Sequence, residues 1–140
     1  MLSALLIHGV PIECINQAAV QYFVPAKVII AVLQTEGGRP GLASPNRNGT
    51  VDYGPMQINS AWIKQIAPYG YTDHQVQDDP CTNVKEGAWI LSQAMAHSSA
   101  QPYWQGVSNY HSYTPVYNQT YQRQIKSRYV VLTRALGEAV

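Results

Sequence analysis

Six apolar residues, Val28, Ile29, Ile30, Ala31, Val32 and Leu33, follow one another without a break. Three positions on, a glutamate precedes two glycines. Pro25 suits the first turn of a helix whose body is Lys27 to Glu36, and Gly37 and Gly38 stand where glycines commonly end one. A helix apolar nearly all round is buried rather than half exposed, so the rest of the chain has to cover it. Glu36 lies seven residues after Ile29, four after Val32 and three after Leu33, which puts it on the same face as all three. Beside a cleft such a carboxyl is partly desolvated, and desolvation raises its pKa. The partial negative charge of the helix C-terminus acts in the same direction. A carboxylic acid still protonated near neutral pH is what glycosidic bond cleavage needs as general acid. Periodicity also leaves the plainer reading open, a glutamate in the solvated last turn of an ordinary helix.

The 140 residues suffice for one compact domain over 1–140, and no repeat or linker divides them. Ile12 to Phe23 reads as a short amphipathic helix stopped before Pro25. Arg39 to Gly54 is rich in Gly, Pro, Asn and Ser, and Asn48-Gly49 is a tight-turn signal before Thr50 to Tyr53, which predicts a small hairpin. Helical character resumes from Asn59 to Ile66, and Pro68-Tyr69-Gly70 breaks it. Asp79-Pro80 opens a longer helix to about His97, with Val84, Ala88, Leu91 and Met95 at helical spacing. Two more helices are expected, near Tyr103 to Tyr110 and from about Pro115 to Leu136. The class is mainly α: five to six helices with at most one small β-hairpin.

Composition excludes several functions. Hydrophobic residues make up 46% and charged residues 12%, unlike a disordered or highly charged binding segment. The formal net charge is +1, without the basic stripe that a nucleic-acid partner requires. No apolar run approaches the roughly 20 residues of a membrane span. Met1 to Val10 lacks a basic n-region and is either the remnant of a signal peptide or an ordinary N-terminal segment. Ten tyrosines and three tryptophans suit carbohydrate contact, and suit a core equally well. The histidines His8, His74, His97 and His111 show no metal-ligand spacing, and no Gly-rich phosphate loop is present. Cys14 and Cys81 leave two readings open. They are buried free thiols, or they form one disulfide closing some 67 residues. Such a link is worth about 4 kcal/mol in the chain-entropy picture and implies an oxidising compartment.

Three blocks in order carry a family resemblance. The first joins Val32-Leu33-Gln34-Thr35-Glu36-Gly37-Gly38 to Asn46-Arg47-Asn48-Gly49 and Asp52-Tyr53-Gly54-Pro55-Met56-Gln57-Ile58-Asn59-Ser60, with Gly54 18 residues after Glu36. The second is Asp79-Pro80-Cys81-Thr82-Asn83-Val84, then Gly87-Ala88 and Ile90-Leu91; the third is Ser108-Asn109-Tyr110-His111-Ser112. Together they resemble the lytic transglycosylases of the lysozyme-like superfamily over roughly residues 12–125, closest to small members that accompany type IV secretion and conjugation systems. The resemblance implies a lysozyme-like fold and a peptidoglycan glycan-strand substrate. Glu36 then protonates the oxygen between N-acetylmuramic acid and N-acetylglucosamine. As carboxylate it takes a proton from the muramyl C6 hydroxyl, which attacks C1 and leaves a 1,6-anhydro sugar. No cofactor is needed.

By the same resemblance Met56 and Gln57 line the cleft, Tyr110 faces Glu36 from a later helix, and Asp52, Tyr53 and Asn59 join the substrate site. All but Tyr53 have a plainer role: Met56 in the core, Gln57 at a helix start, Tyr110 as a satisfied buried tyrosine, Asn59 as an N-cap, Asp52 in a turn. The resemblance also implies a Cys14–Cys81 disulfide in a periplasmic or secreted monomer, with secretion-system components as further partners. Two positions depart from the family: Gly37 where many members carry serine, and Pro55 where leucine is usual. The alternatives are a hydrolytic lysozyme using Glu36 with Asp52, since a retaining hydrolase needs two carboxyls roughly 5 Å apart, and a non-catalytic wall-binding protein.

Overall fold

The structure, a computed structural model, describes residues 5–97 and 100–138. Residues 1–4 of the N-terminal segment lie outside that description. The remainder of the segment forms a two-stranded antiparallel hairpin, β1 (Leu6–Ile7) and β2 (Val10–Pro11), that leads directly into α1 (Ile12–Tyr22). Next comes α2 (Ala26–Glu36), with every residue from Val28 to Leu33 buried. Its end is fixed by Gly37, at φ +67° in the left-handed region, whose amide donates to the Leu33 carbonyl at 2.9 Å.

A three-stranded antiparallel sheet follows: β3 (Ala43–Pro45), β4 (Val51–Tyr53) and β5 (Ile58–Asn59), in that order. The turn between β3 and β4 is held by the Asn46 amide on the Thr50 carbonyl (2.8 Å) and by the Asn48 side chain accepting from the Thr50 amide (3.0 Å). The register sets Asp52 opposite both Ser44 and Asn59. Asn59 then caps α3 (Ser60–Ile66), its side chain accepting from the Ala61 amide. A short 3-10 turn (Ala67–Tyr69) leads to α4 (Asp73–Asp78), opened by a reciprocal Thr72–Gln75 capping box.

Asp79 caps α5 (Pro80–Met95), and α6 (Tyr103–Ser108) and α7 (Pro115–Ala135) complete the described helices. Packed around α2 are α1 and α7; α1 also runs along α5, and α7 along α6. The resulting core is one cluster from Val10 to Ile125 that includes Ile29, Leu33, Met56 and Leu91. A Cys14–Cys81 disulfide, Cα atoms 5.3 Å apart, ties the first turn of α1 to that of α5.

The mainly α, lysozyme-like expectation holds. In detail the described residues contain seven α-helices rather than five or six, because α4 stands where only a break was read. They contain two small sheets rather than one hairpin, because β5 adds to the expected pair and β1–β2 precedes it. The last helical residues, Ser108 in α6 and Ala135 in α7, fall one or two short of the expected ends. Among the described residues, no helix is long and apolar enough to cross a membrane.

Candidate active site

The end of α2 and the hairpin face each other across a cleft of about 280 Å³, lined by Glu36, Asp52, Gln57, Asn59, Trp62 and Tyr110, with Ile58, Ile90 and His111. A larger depression of about 840 Å³, between His8, Gln34 and the α7 residues Arg128 and Leu132, has no carboxylate in its lining. The smaller one holds two carboxyl groups, those of Glu36 and Asp52. Among the described residues, no group of three or more His, Cys, Asp and Glu is placed to hold a metal ion.

Glu36 is the last residue of α2, on the face that the apolar run buries. Burial raises its pKa from 4.5 to about 7; a hydrogen bond from Tyr121 opposes that rise, and the nearby Asp52 charge adds to it. The Tyr121 hydroxyl donates to Glu36 Oε2 at 2.8 Å. Tyr121 is itself buried on α7, and His111 stacks flat on its ring, centroids 4.8 Å apart. Burial lowers the His111 pKa, against the pull of Asp52, and so favours the neutral imidazole. No lysine or arginine lines the cleft.

Asp52 is positioned by the sheet. Its register partner Asn59 donates from Nδ2 to Asp52 Oδ1 at 2.9 Å and to Thr50 Oγ1 at 2.9 Å, while Asn59 Oδ1 caps α3. One amide thus orients a carboxylate and starts a helix. Gln57 also lines the cleft, with φ +53°, a left-handed conformation that costs a non-glycine residue about 1 kcal/mol. It is held by its amide and its Nε2, both donating to the Gly54 carbonyl at 3.1 and 3.0 Å.

Met56 does not line the cleft. Its side chain is fully buried against Gly87, where an added Cβ would lie 2.3 Å from the Met56 sulfur. Tyr53 is likewise outside the lining and packs on the core. Tyr110 follows α6 in a turn rather than standing on a helix; it lines the cleft, and its hydroxyl donates to the Met56 carbonyl at 2.7 Å. Burial, with the charges of Glu36 and Asp52, pushes its pKa well above 10.

The second sequence block explains how this wall is held. Fully buried Asn83 accepts from the Met56 amide at 2.9 Å and donates to the carbonyls of Tyr53 (2.9 Å) and Val76 (2.8 Å). At Gly38 an added Cβ would lie 2.1 Å from the Gly54 carbonyl oxygen, so only glycine lets the chain leaving Glu36 pass the hairpin. At Gly37, by contrast, an added Cβ would meet open space. Serine there has room, and its cost is the left-handed backbone alone. Tyr121, Trp62, Ile58, Ile90 and His111 were not among the predicted site residues. His111 and Trp62 stand within or at the edge of the matched blocks, whereas Tyr121 lies 85 positions from its partner Glu36 and carries no local signal.

The mainly α fold is lysozyme-like, and its half-buried helix-end glutamate shares a cleft with a hairpin aspartate. The Transglycosylase SLT domain profile matches residues 13–126, and the chain belongs to that family. It is 34% identical over 103 residues to "Invasion protein IagB" of Salmonella typhimurium, which covers 73% of this chain and 63% of the relative. It is 29% identical over 103 residues to "Protein IpgF" of Shigella flexneri, covering 73% and 66%. A third relative, "Peptidoglycan-binding-like protein" of Escherichia coli O157:H7, is 28% identical over 130 residues, covering 86% and 77%. The match to IagB thus leaves more than a third of that relative's length uncovered.

Proposed function

We propose that this chain is a peptidoglycan lytic transglycosylase that cleaves the β-1,4 bond between N-acetylmuramic acid and N-acetylglucosamine. The observation that carries the reading is the Glu36 carboxyl, half-buried at a helix end, held by Tyr121 and sharing a cleft with Asp52. With a pKa of about 7 it is protonated on a good fraction of molecules at neutral pH. As acid, Glu36 gives its proton to the glycosidic oxygen while the C1–O bond breaks. Positive charge grows on the muramyl ring, and the Asp52 carboxylate, held in place by Asn59, stabilises it. Glu36, now a carboxylate, takes the proton of the muramyl C6 hydroxyl as O6 bonds to C1. The proton count closes without water, and a 1,6-anhydro end is released.

In this reading Gln57 and Tyr110 contact substrate, and Asn59 positions Asp52. Met56 and Tyr53 support the wall from behind. The chain works as a monomer in the periplasm or outside the cell, where the Cys14–Cys81 disulfide persists. Local opening of the wall for a secretion or conjugation machine is the role that fits; likeness to a protein named for invasion supports it.

Asp52 beside Glu36 also favours a second reading, a retaining hydrolase in which Asp52 attacks C1 and water completes the reaction. The mass of the saccharide released from purified sacculi decides. The transglycosylase yields a product lighter by one water than the hydrolase does. A hydrolysed end as the main product overturns the proposal in favour of the lysozyme, and no release at all overturns both in favour of a wall-binding protein.

A further inference from the structure

A second concavity adjoins the cleft across a pair of indoles. Trp62 lines the cleft and meets Trp89 edge to face, ring centroids 5.9 Å apart and planes at 88°. Trp89 lines a depression of about 370 Å³, which also includes Tyr22, Tyr69, Tyr71, Lys85 and Glu86. Neighbouring residues of α5, Trp89 and Ile90, therefore serve the two concavities separately. The volume lies within the roughly 300–1,000 Å³ of small-molecule sites.

Its chemistry is that of a site rather than a packing defect. Tyr69 lines the depression with its large ring left 78% exposed, beside the polar groups of Lys85 and Glu86. Glu86 is 4% exposed, yet it stands in the wall of the depression. Lys85 Nζ donates to the Tyr71 hydroxyl at 2.9 Å and stands 5.6 Å from that ring's centroid. A buried carboxylate, an ammonium and phenol hydroxyls are thus set among flat aromatic faces. Lys85 and Glu86 leave the depression without net charge, which disfavours an ionic ligand. What matches is a ring with an apolar C–H face to stack and hydroxyls or amides to donate and accept at its edge.

We propose that this depression is a saccharide-binding site, separate from the cleft, that holds N-acetylated amino-sugar units of a glycan strand. The identity of the sugar rests on the reading of the cleft as a glycan-cleaving site. The test uses the full chain carrying Glu36→Gln, labelled with nitrogen-15 and titrated with an N-acetylglucosamine tetramer. The expected result is a shift of the Trp89 indole and of the side-chain amide of Gln21, which also lines the depression, with Trp104, which lines neither concavity, as an unmoved reference. Adding Tyr69→Ala, at the exposed ring, weakens that titration at least fivefold, and adding the isosteric Glu86→Gln does the same. Unmoved Trp89 and Gln21 resonances at saturating sugar overturn the site. So does a Trp89 shift indifferent to both variants, which means it is relayed from Trp62. A response to a sugar-free stem peptide in place of the tetramer overturns it as well. The two readings fail separately. Binding here with no product from sacculi refutes the cleft reading, whereas product release with an unmoved Trp89 refutes the site alone.

Discussion

Glu36 and Glu86 both sit on helices built mainly for burial, and burial raises the pKa of each. Their surroundings separate them. Glu36 ends α2, where the charge that acts on it is Asp52, of its own sign, and the Tyr121 hydroxyl donates to it. Glu86 lies mid-way along α5, where the adjacent Lys85 ammonium pulls its pKa back down, with help from a Tyr71 hydrogen bond. A like charge together with desolvation makes a carboxyl that keeps its proton near neutrality. An opposite charge beside the carboxyl offsets part of that rise. Burial is the larger push on both carboxyls; at Glu36 the nearby charge adds to it, and at Glu86 the nearby charge takes part of it back.

The sharpest break of this comparison is to replace each glutamate by its amide. Glu36→Gln removes both acid and base, and kcat for release of anhydro product from sacculi is expected to fall by roughly 10³-fold or more. Glu86→Gln removes a binding group, so its effect is expected in KM, a several-fold rise. Steady-state kinetics on both variants check the split. A Glu36→Gln protein with most of its activity would end the assignment.

The two regions also differ in what holds them. The Glu36 helix is wrapped by α1 and α7, whereas the Glu86 helix is tied at its start to α1 by Cys14–Cys81. Replacing both cysteines by serine is expected to cost about 2–4 kcal/mol in urea unfolding. Amide exchange should then accelerate in the first half of α5 more than in α2. Equal acceleration in both would mean that the crosslink acts on the whole chain and does not distinguish the regions.

Much of this was legible in the sequence because it is local. The apolar run and its two glycines specify α2 and set Glu36 on its buried face; Asn48-Gly49 specifies the turn that presents Asp52. Thr72-Asp73-His74-Gln75 also carries a local signal, a capping box, although the proline and glycine just before it read as a break. The misplaced residues depend on non-local geometry. Met56 turns into the core and Gln57 into the cleft, within a tight turn where Gln57 takes a positive φ, and the motif alone treats the two neighbours alike. Asn59 was read at a helix start, yet it also ends β5, and only the strand register brings it to Asp52. Tyr121 reaches Glu36 through the packing of α7 on α2, which is a tertiary fact.

A smaller effect measures the two burials by stability. Below about pH 4.5, the ordinary value, Glu36 is protonated in folded and unfolded chains alike; the folded value is about 7. As pH rises between the two, the unfolded chain releases its proton while the folded one retains it. The stability that the protonated carboxyl contributes is therefore fully present below 4.5 and is lost as pH passes through about 7. The loss is on the order of 3 kcal/mol as an upper figure. Glu36→Gln should flatten this slope and be more stable than the parent at pH 8, with little difference at pH 4. Glu86→Gln should flatten it less, because Lys85 already offsets part of the cost of the charge. Urea unfolding across pH 4–8 gives the comparison, and a larger flattening from Glu86→Gln would reverse the ranking of the two sites.

The finest adjustment is Tyr121→Phe. The Tyr121 hydroxyl favours the ionised form of Glu36, so it holds the pKa below what burial alone would give. Removing it takes away a hydrogen bond worth about 1 kcal/mol. The Glu36 pKa is then expected to rise further above 7 by roughly half a unit to one unit. A general acid with a higher pKa keeps its proton to higher pH, so the descending limb of the pH–rate profile should move up by that amount. The ring and its stacking on His111 remain in the phenylalanine variant, so packing alone predicts no displacement of the limb. A limb that stays in place, or moves down, would mean that Tyr121 only fills space beneath Glu36. The contrast between the two glutamates would then rest on Asp52 and burial, without tuning by a hydroxyl.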